Sequence, residues 1–279
     1  WRGDRVQMRR IVRTFNISDV TPYINWLYFF HTWQMSGVYS EARSSLMEDA
    51  MKLLQESESR YKSHAIFCLY KAVSDGDDII FEDRRIPFLR QQHRGSQSQP
   101  NICMSDFIKP AELGSEDYAG LFATTVDMGF VEDNSEDGYM GMLAQSLADR
   151  IAEATAELLH ERVRKTHWGY APNENLTPLE LHRCAYQGIR PAVGYPSMPD
   201  LSINFIINDM IGMDSIGISL TENGMMIPHS SVSGLMLAHR DARYFDIGRI
   251  GYDQFADYCR RRGFSEEKMR KFLSANLEV

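Results

Sequence analysis

The chain has 279 residues, of which 43% are hydrophobic, 11% aromatic and 24% charged, enough apolar material for a sizeable core. A formal net charge of -8 argues against a groove that tracks phosphates, which rests first on clustered Lys and Arg, so no nucleic-acid partner is expected. Apolar stretches such as residues 203–207 fall far short of the roughly 20 residues that span a bilayer, and no signal-peptide pattern opens the chain, so a cytoplasmic protein with no membrane partner is expected.

The chain begins Trp1-Arg2-Gly3-Asp4 rather than with Met, as a piece of a longer protein would. No Pro/Gly/Ser-rich linker divides it, and the polar stretch 91–99 is short enough for a surface loop, so residues 1–279 are read as one domain. Residues 21–35 are dense in aromatics and suggest a packed cover, and residues 41–61 carry apolar side chains at helical spacing. Residues 64–73 then read as a strand, 74–77 as a turn and 78–82 as its antiparallel partner.

The acidic run from Asp133 to Gly138 fits the first, fifth and sixth positions of a calcium loop but places Ala144 where the bidentate Glu belongs. Residues 141–165 form the strongest helix, with Leu143, Leu147, Ile151, Ala154 and Leu158 on one stripe. Asp149, Glu153 and Glu157 follow one another at i, i+4, where like charges repel by roughly 0.2–0.5 kcal/mol per pair. Either something cationic sits there, or the stripe is solvated and relieved by Arg150 and Arg164.

Residues 234–239 and 244–250 read as strands across an Arg240–Arg243 turn, Asp253 as the cap of a helix ended by Gly263, and Ser265 as the cap of a last helix over 266–273. Strands and helices in clusters, without βαβ alternation, predict an α+β fold with a mainly antiparallel sheet.

Motifs for common chemistries are missing. No G-x-G-x-x-G or Walker loop occurs, His160-Glu161-Arg162-Val163-Arg164 has Arg164 where a second zinc-ligating His would stand, and residues 229–234 lack the first glycine of a nucleophile elbow. Isolated histidines such as His64 and His93 have no partner at readable spacing. The four cysteines, at 68, 103, 184 and 259, are scattered and read as reduced and mostly packed.

Within Arg190-Pro191-Ala192-Val193-Gly194-Tyr195, a guanidinium, a stiffened backbone, a residue without Cβ and an aromatic ring lie close together. Each suits a zwitterionic sulfonium ligand, since Arg can pair with a carboxylate, Gly admits close backbone approach and Tyr can face a cation. From composition alone the same residues also read as a surface turn.

The ordered segments HERVRK, WGYAPNENL, YQGIRPAVGYPSMPD, SLTENGMMIP, SVSGL and RYFDIGRIGYDQFADYCRRRG, with TPYINWLYFFHTWQMSG, LRQQ, DFIKP, DYAGLFATT and LADRIAEATAELLHERV, resemble the C-terminal activation domain of cobalamin-dependent methionine synthase over essentially the whole chain. The resemblance implies one domain with a bent, largely antiparallel sheet flanked by helices. It also implies a domain of a methyltransferase, inactive alone, that holds S-adenosylmethionine for reductive methylation of a cobalamin carried by a partner domain, with an electron from flavodoxin or a similar reductase.

By position, the resemblance assigns Arg190 to the donor's carboxylate, and Ala192 and Gly194 to backbone contacts. It assigns Tyr195 to the sulfonium end, and Tyr244 and Phe245 to the nucleoside. Asp149 and Glu153 would face the docking site of the cobalamin domain's lower-face histidine. Asn25 stands where the family commonly has Asp against the donor's ammonium, Cys184 and Ala185 replace a more polar pair, and residues 201–218 depart from the usual helix sequence. Asn25 and Cys184 favour the rival reading, a ligand-sensing or docking module for a corrinoid protein.

Overall fold

The computed structural model describes residues 8–35, 37, 40–92 and 100–278. The opening Trp1-Arg2-Gly3-Asp4 and the greater part of the polar stretch 91–99, His93 included, lie outside the described residues. The sheet is built around a 14-residue strand, β2 (Lys62–Asp75). Successive side chains of a strand point to opposite faces, and here both faces are covered. Ala65, Phe67 and Leu69 enter one apolar cluster, while Ile66, Cys68 and Ala72 enter the other.

Along one edge of β2 its first half pairs with β1 (Ile11–Asn16) and its end with β3 (Asp78–Phe81), which continues to β4 (Arg84–Pro87). The other edge carries β5 (Asp117–Val126) and then β8 (Ser231–Met236). All these pairings are antiparallel, and the register sets Phe67 opposite Phe122 in one cluster. A separate short pair joins β6 (Ser219–Leu220) to β7 (Met226–Ile227).

Helices α1 (Ile17–Val20), α2 (Trp26–Thr32), α3 (Glu41–Ser57), α4 (Gly129–Glu132) and α5 (Gly138–Arg162) contribute to the first cluster, α6 (Pro178–His182) is a short helix capped by Thr177, and α7 (Ile203–Ile211) contributes to the second cluster. Asp137 starts α5 by accepting the Tyr139 and Met140 amides at 2.8 and 2.9 Å. The stripe Leu143, Leu147, Ile151, Ala154 and Leu158 is buried as expected, and α5 runs into a wider turn over Val163–His167. Asp133 is engaged by Arg60 at 2.6 Å and by the Tyr61 hydroxyl.

The curled antiparallel sheet with flanking helices is the α+β arrangement expected, and the first hairpin forms at β2 and β3. In the aromatic segment Phe29 and Phe30 are buried while Leu27 and Tyr28 are exposed, so only one side of it acts as cover. Cys68, Cys103 and Cys259 are buried, and Cys184 is exposed.

The second expected hairpin does not form. Strand β8 is present, but its outer edge is taken by residues 189–193, and residues 244–249 run as irregular chain pinned elsewhere. The Ile247 amide donates to the Pro196 carbonyl at 3.0 Å, and the Tyr244 hydroxyl accepts the Arg190 amide at 3.0 Å. Asp253 also differs from expectation. Gly251 is the N-cap of α8 (Tyr252–Arg262), and Asp253 lies inside the first turn, while Gly263 in the left-handed region ends the helix. Ser265 caps α9 (Glu266–Leu273) through the Lys268 amide, as read.

Candidate functional site

The site is assembled on the outer edge of β8. Ile189 and Leu237 exchange backbone hydrogen bonds at 2.8 and 2.9 Å, Leu235 donates to Pro191 at 3.0 Å, and Val193 donates to Ser233 at 2.9 Å. So close an approach needs glycine on both sides. A Cβ on Gly234 would lie 2.1 Å from the Pro191 carbonyl oxygen, and one on Gly188, whose φ is +85°, 2.3 Å from that of Leu237. Gly194, at φ +88°, then turns the chain, its amide donating to Met198 at 2.8 Å.

Between this edge and α5 lies a cavity of about 750 Å³. It is lined by Asn25, Glu153, Arg190, Ala192, Tyr195, Tyr244 and Phe245, the sequence-predicted residues that the fold brings together. Gly194 does not line it; its amide is spent on the turn that leads into Tyr195. Asp149 does not line it either. Its Oδ1 accepts from Ser230 Oγ at 2.6 Å and Gln145 Nε2 at 2.9 Å, with His229 Nδ1 at 3.7 Å.

Arg190 is held from several sides. Its Nη1 donates to Glu157 Oε1 at 3.0 Å and its Nη2 to Glu157 Oε2 at 2.7 Å, while Nη1 also donates to the Tyr186 hydroxyl at 3.1 Å. Burial alone would lower the guanidinium's pKa, and the Glu157 carboxylate overrides it and holds the pKa well above its ordinary value. Burial pushes the Tyr186 phenol far up, so it remains protonated.

Behind this pair His160 is fully buried, and burial together with the charges of Arg164 and Arg190 holds its pKa well below the usual value. The neutral ring sits with Nδ1 at 3.5 Å from Arg190 Nη1 and Nε2 at 3.5 Å from the Tyr170 hydroxyl. Nδ1 as acceptor and Nε2–H as donor satisfies both contacts.

Tyr195 donates its hydroxyl to Glu153, and burial followed by the Glu153 charge pushes its pKa upward. Asn25 is the N-cap of α2, its Oδ1 accepting the Leu27 and Tyr28 amides at 3.2 and 3.4 Å, so its oxygen is already engaged. Phe245 packs its ring 6.4 Å from that of Phe107.

Sequence reasoning left out Glu157 and Tyr186 as site residues. The acidic stripe on α5 did signal a cationic partner, and for Glu157 that partner is Arg190 of the same chain. Arg164 does not relieve the stripe. It is fully buried and pairs with Glu174, Nη2 to Oε1 at 2.6 Å, while its guanidinium carbon lies 4.1 Å from the centre of the Tyr186 ring.

Residues 16–263 match the family model for the activation domain of vitamin B12 dependent methionine synthase. Among solved structures, the chain is similar to the crystal structure of the MetH reactivation domain bound to AdoHcy, with 34% identity and a TM-score of 0.91 over 99% of this chain and 92% of that one. A family match over most of its length and a shared fold at that identity mean that this chain belongs to the activation-domain family of vitamin B12-dependent methionine synthases.

Proposed function

We propose that the cavity beside α5 binds S-adenosylmethionine, and that the chain serves reductive methylation of a cobalamin held by a separate cobalamin-binding domain, with the electron coming from flavodoxin or a similar reductase. The observation that carries this reading is the charge of the lining. Three carboxylates, Glu153, Glu157 and Asp246, face two guanidiniums, Arg150 and Arg190. The balance of one negative charge complements a ligand whose sulfonium and ammonium outweigh its single carboxylate by one.

The volume lies within the roughly 300–1,000 Å³ of ordinary small-molecule sites. The solved relative holds AdoHcy, which is what the donor becomes once its methyl group has left. When bound, the donor supplies an electrophilic methyl group on a cationic sulfur. The chain's own residues then orient it and exclude water, a task that needs no protein nucleophile.

In this reading Arg190 takes the carboxylate, and Glu153 with the Tyr195 phenol faces the cationic end. Tyr244, its hydroxyl fixed on the Arg190 amide, and Phe245 flank the nucleoside. Ala192 lies along the ligand. Asp149 and Glu153 meet the histidine of the docking cobalamin domain, and the hydroxyl and amide now on Asp149 are partners such docking must share or displace.

A second reading, a ligand-sensing or docking module, rests on Asn25 and Cys184, two uncharged side chains that line the cavity. Titration calorimetry of the isolated chain with S-adenosylmethionine separates the two. A saturable signal abolished by Arg190→Ala supports the donor site, and no signal at millimolar ligand favours the docking module.

A further inference from the structure

We propose that Glu157 and Tyr186 are positioning residues that fix the Arg190 guanidinium so that its Nε–Nη2 edge is held ready for the ligand's carboxylate. The inference rests on the donor-site reading above and goes one step further, to how the arginine is held.

An arginine has five N–H donors in one plane. In Arg190 the end-on pair, one hydrogen each from Nη1 and Nη2, is taken by the two oxygens of Glu157. The second hydrogen of Nη1 points at the Tyr186 hydroxyl, with His160 Nδ1 more distant. That leaves Nε–H and the second Nη2–H, which lie side by side on one edge and have no partner among the described residues. Two parallel donors on one edge are the geometry that a carboxylate accepts bidentately. The ligand therefore need not displace Glu157.

The holders are themselves fixed. Glu157 is 5% exposed on the buried flank of α5, and Tyr186 is 8% exposed, with the Arg164 guanidinium 4.1 Å above its ring. The base of the side chain is tied as well, because the Arg190 amide donates to Tyr244 and Pro191 stiffens the next residue.

Without Glu157 the guanidinium, whose side chain is only 14% exposed, would need new acceptors. Glu153 offers them, one turn earlier on the same helix face and lining the same cavity. A swing toward Glu153 would remove the edge from the carboxylate and cancel the charge meant for the cationic end.

The test compares two ligands by calorimetry on the full chain, S-adenosylmethionine and its decarboxylated analogue, which lacks only the group Arg190 is held for. Wild type should bind S-adenosylmethionine at least about tenfold more tightly than the analogue, about 1.4 kcal/mol. Glu157→Gln should reduce that ratio about tenfold. Tyr186→Phe, which keeps the ring and changes no charge, should reduce it about threefold, and it serves if the first variant does not fold.

A ratio unchanged in both variants means a merely structural ion pair and overturns the proposal. A ratio that rises in Glu157→Gln means that Glu157 competes with the ligand, and overturns it too. Wild type binding both ligands equally removes the carboxylate subsite and this proposal while leaving donor binding standing. Wild type binding neither overturns the donor-site reading and this proposal together.

Discussion

Tyr244 and Arg190, 54 positions apart, are joined by a hydrogen bond in which the phenol oxygen accepts the arginine's backbone amide at 3.0 Å. The bond fixes a ring that lines the cavity against the backbone of the residue whose guanidinium lines it too. Tyr244→Phe keeps the ring and deletes the acceptor. The expected cost is about 1 kcal/mol of stability, read from urea unfolding, with a several-fold loss of S-adenosylmethionine affinity. Unaltered affinity would show that the ring needs no anchor.

Gly234 is where the site edge meets the sheet. In Gly234→Ala the new Cβ would overlap the Pro191 carbonyl oxygen and the Ala192 Cα, both backbone, so residues 189–193 would have to lift off β8. A loss of about 2–3 kcal/mol is expected, together with ligand binding. Gly138→Ala is the control, because no atom of the described residues lies within 4 Å of its Cβ position, and it should stay within about 0.5 kcal/mol of wild type.

These two positions mark how far the sequence could be read. The α5 stripe, the β2–β3 hairpin and the terminal helices follow from local periodicity and turn chemistry, and the structure has them. The expected pairing of residues 244–250 with β8 failed because a strand edge goes to whichever segment packs best in three dimensions. The winner was the segment 189–193, most of which belongs to the stretch 190–195 that by composition reads as a turn. Glu157 was visible as one of three stacked acids, but no spacing rule connects it to an arginine 33 positions later. The site residues named from family resemblance cluster in the cavity except Gly194 and Asp149, whose polar groups are engaged nearby.

Asn25 offers a gain of function. Its oxygen caps α2, and Asp at an N-cap keeps that hydrogen bond while placing a carboxylate at the favourable end of the helix. Asn25→Asp should therefore leave the unfolding midpoint unchanged or slightly higher. It also turns a neutral contact to a cationic ligand into a charged one, for which about 1 kcal/mol, several-fold in affinity, is expected. Calorimetry showing equal or weaker binding would place the donor's ammonium away from residue 25.

Acid should destabilise the protein in two stages. The folded pKa values of His160 and His167 are depressed, first by burial and then by nearby arginines, so below the ordinary value of 6.5 the unfolded chain binds protons that the folded one refuses. Stability is therefore full above about pH 6.5 and falls as pH drops, by up to about 1.4 kcal/mol per pH unit through the fully buried His160 and by less through the half-buried His167, which solvent screens. The lowered carboxyls of Glu161 and Asp257 add their loss only below their unfolded values, 4.5 and 3.8. Unfolding free energies between pH 7 and 5 should show the first stage, and His160→Asn should flatten it. An unchanged slope in that variant would mean that His160 is protonated in the folded state.

The Arg164–Glu174 pair tests whether the charges behind the site serve folding or binding. Both side chains are buried, at 0% and 8% exposure, and Arg164 reaches Glu174 through Nε and Nη2 while its buried Nη1 has no hydrogen-bond partner among the described residues. Glu174→Gln leaves a buried guanidinium without its counter-charge and should cost about 3 kcal/mol. Replacing both members with apolar residues of similar volume, Arg164→Met with Glu174→Leu, removes the desolvation cost along with the attraction and should recover most of that stability. It also takes the guanidinium off the Tyr186 ring, and Tyr186 contacts Arg190. The double variant should therefore fold nearly as well as wild type and yet bind S-adenosylmethionine more weakly, by several-fold in calorimetry. Full recovery of both stability and binding would show that Arg164 does no more than fill and neutralise the space behind Tyr186.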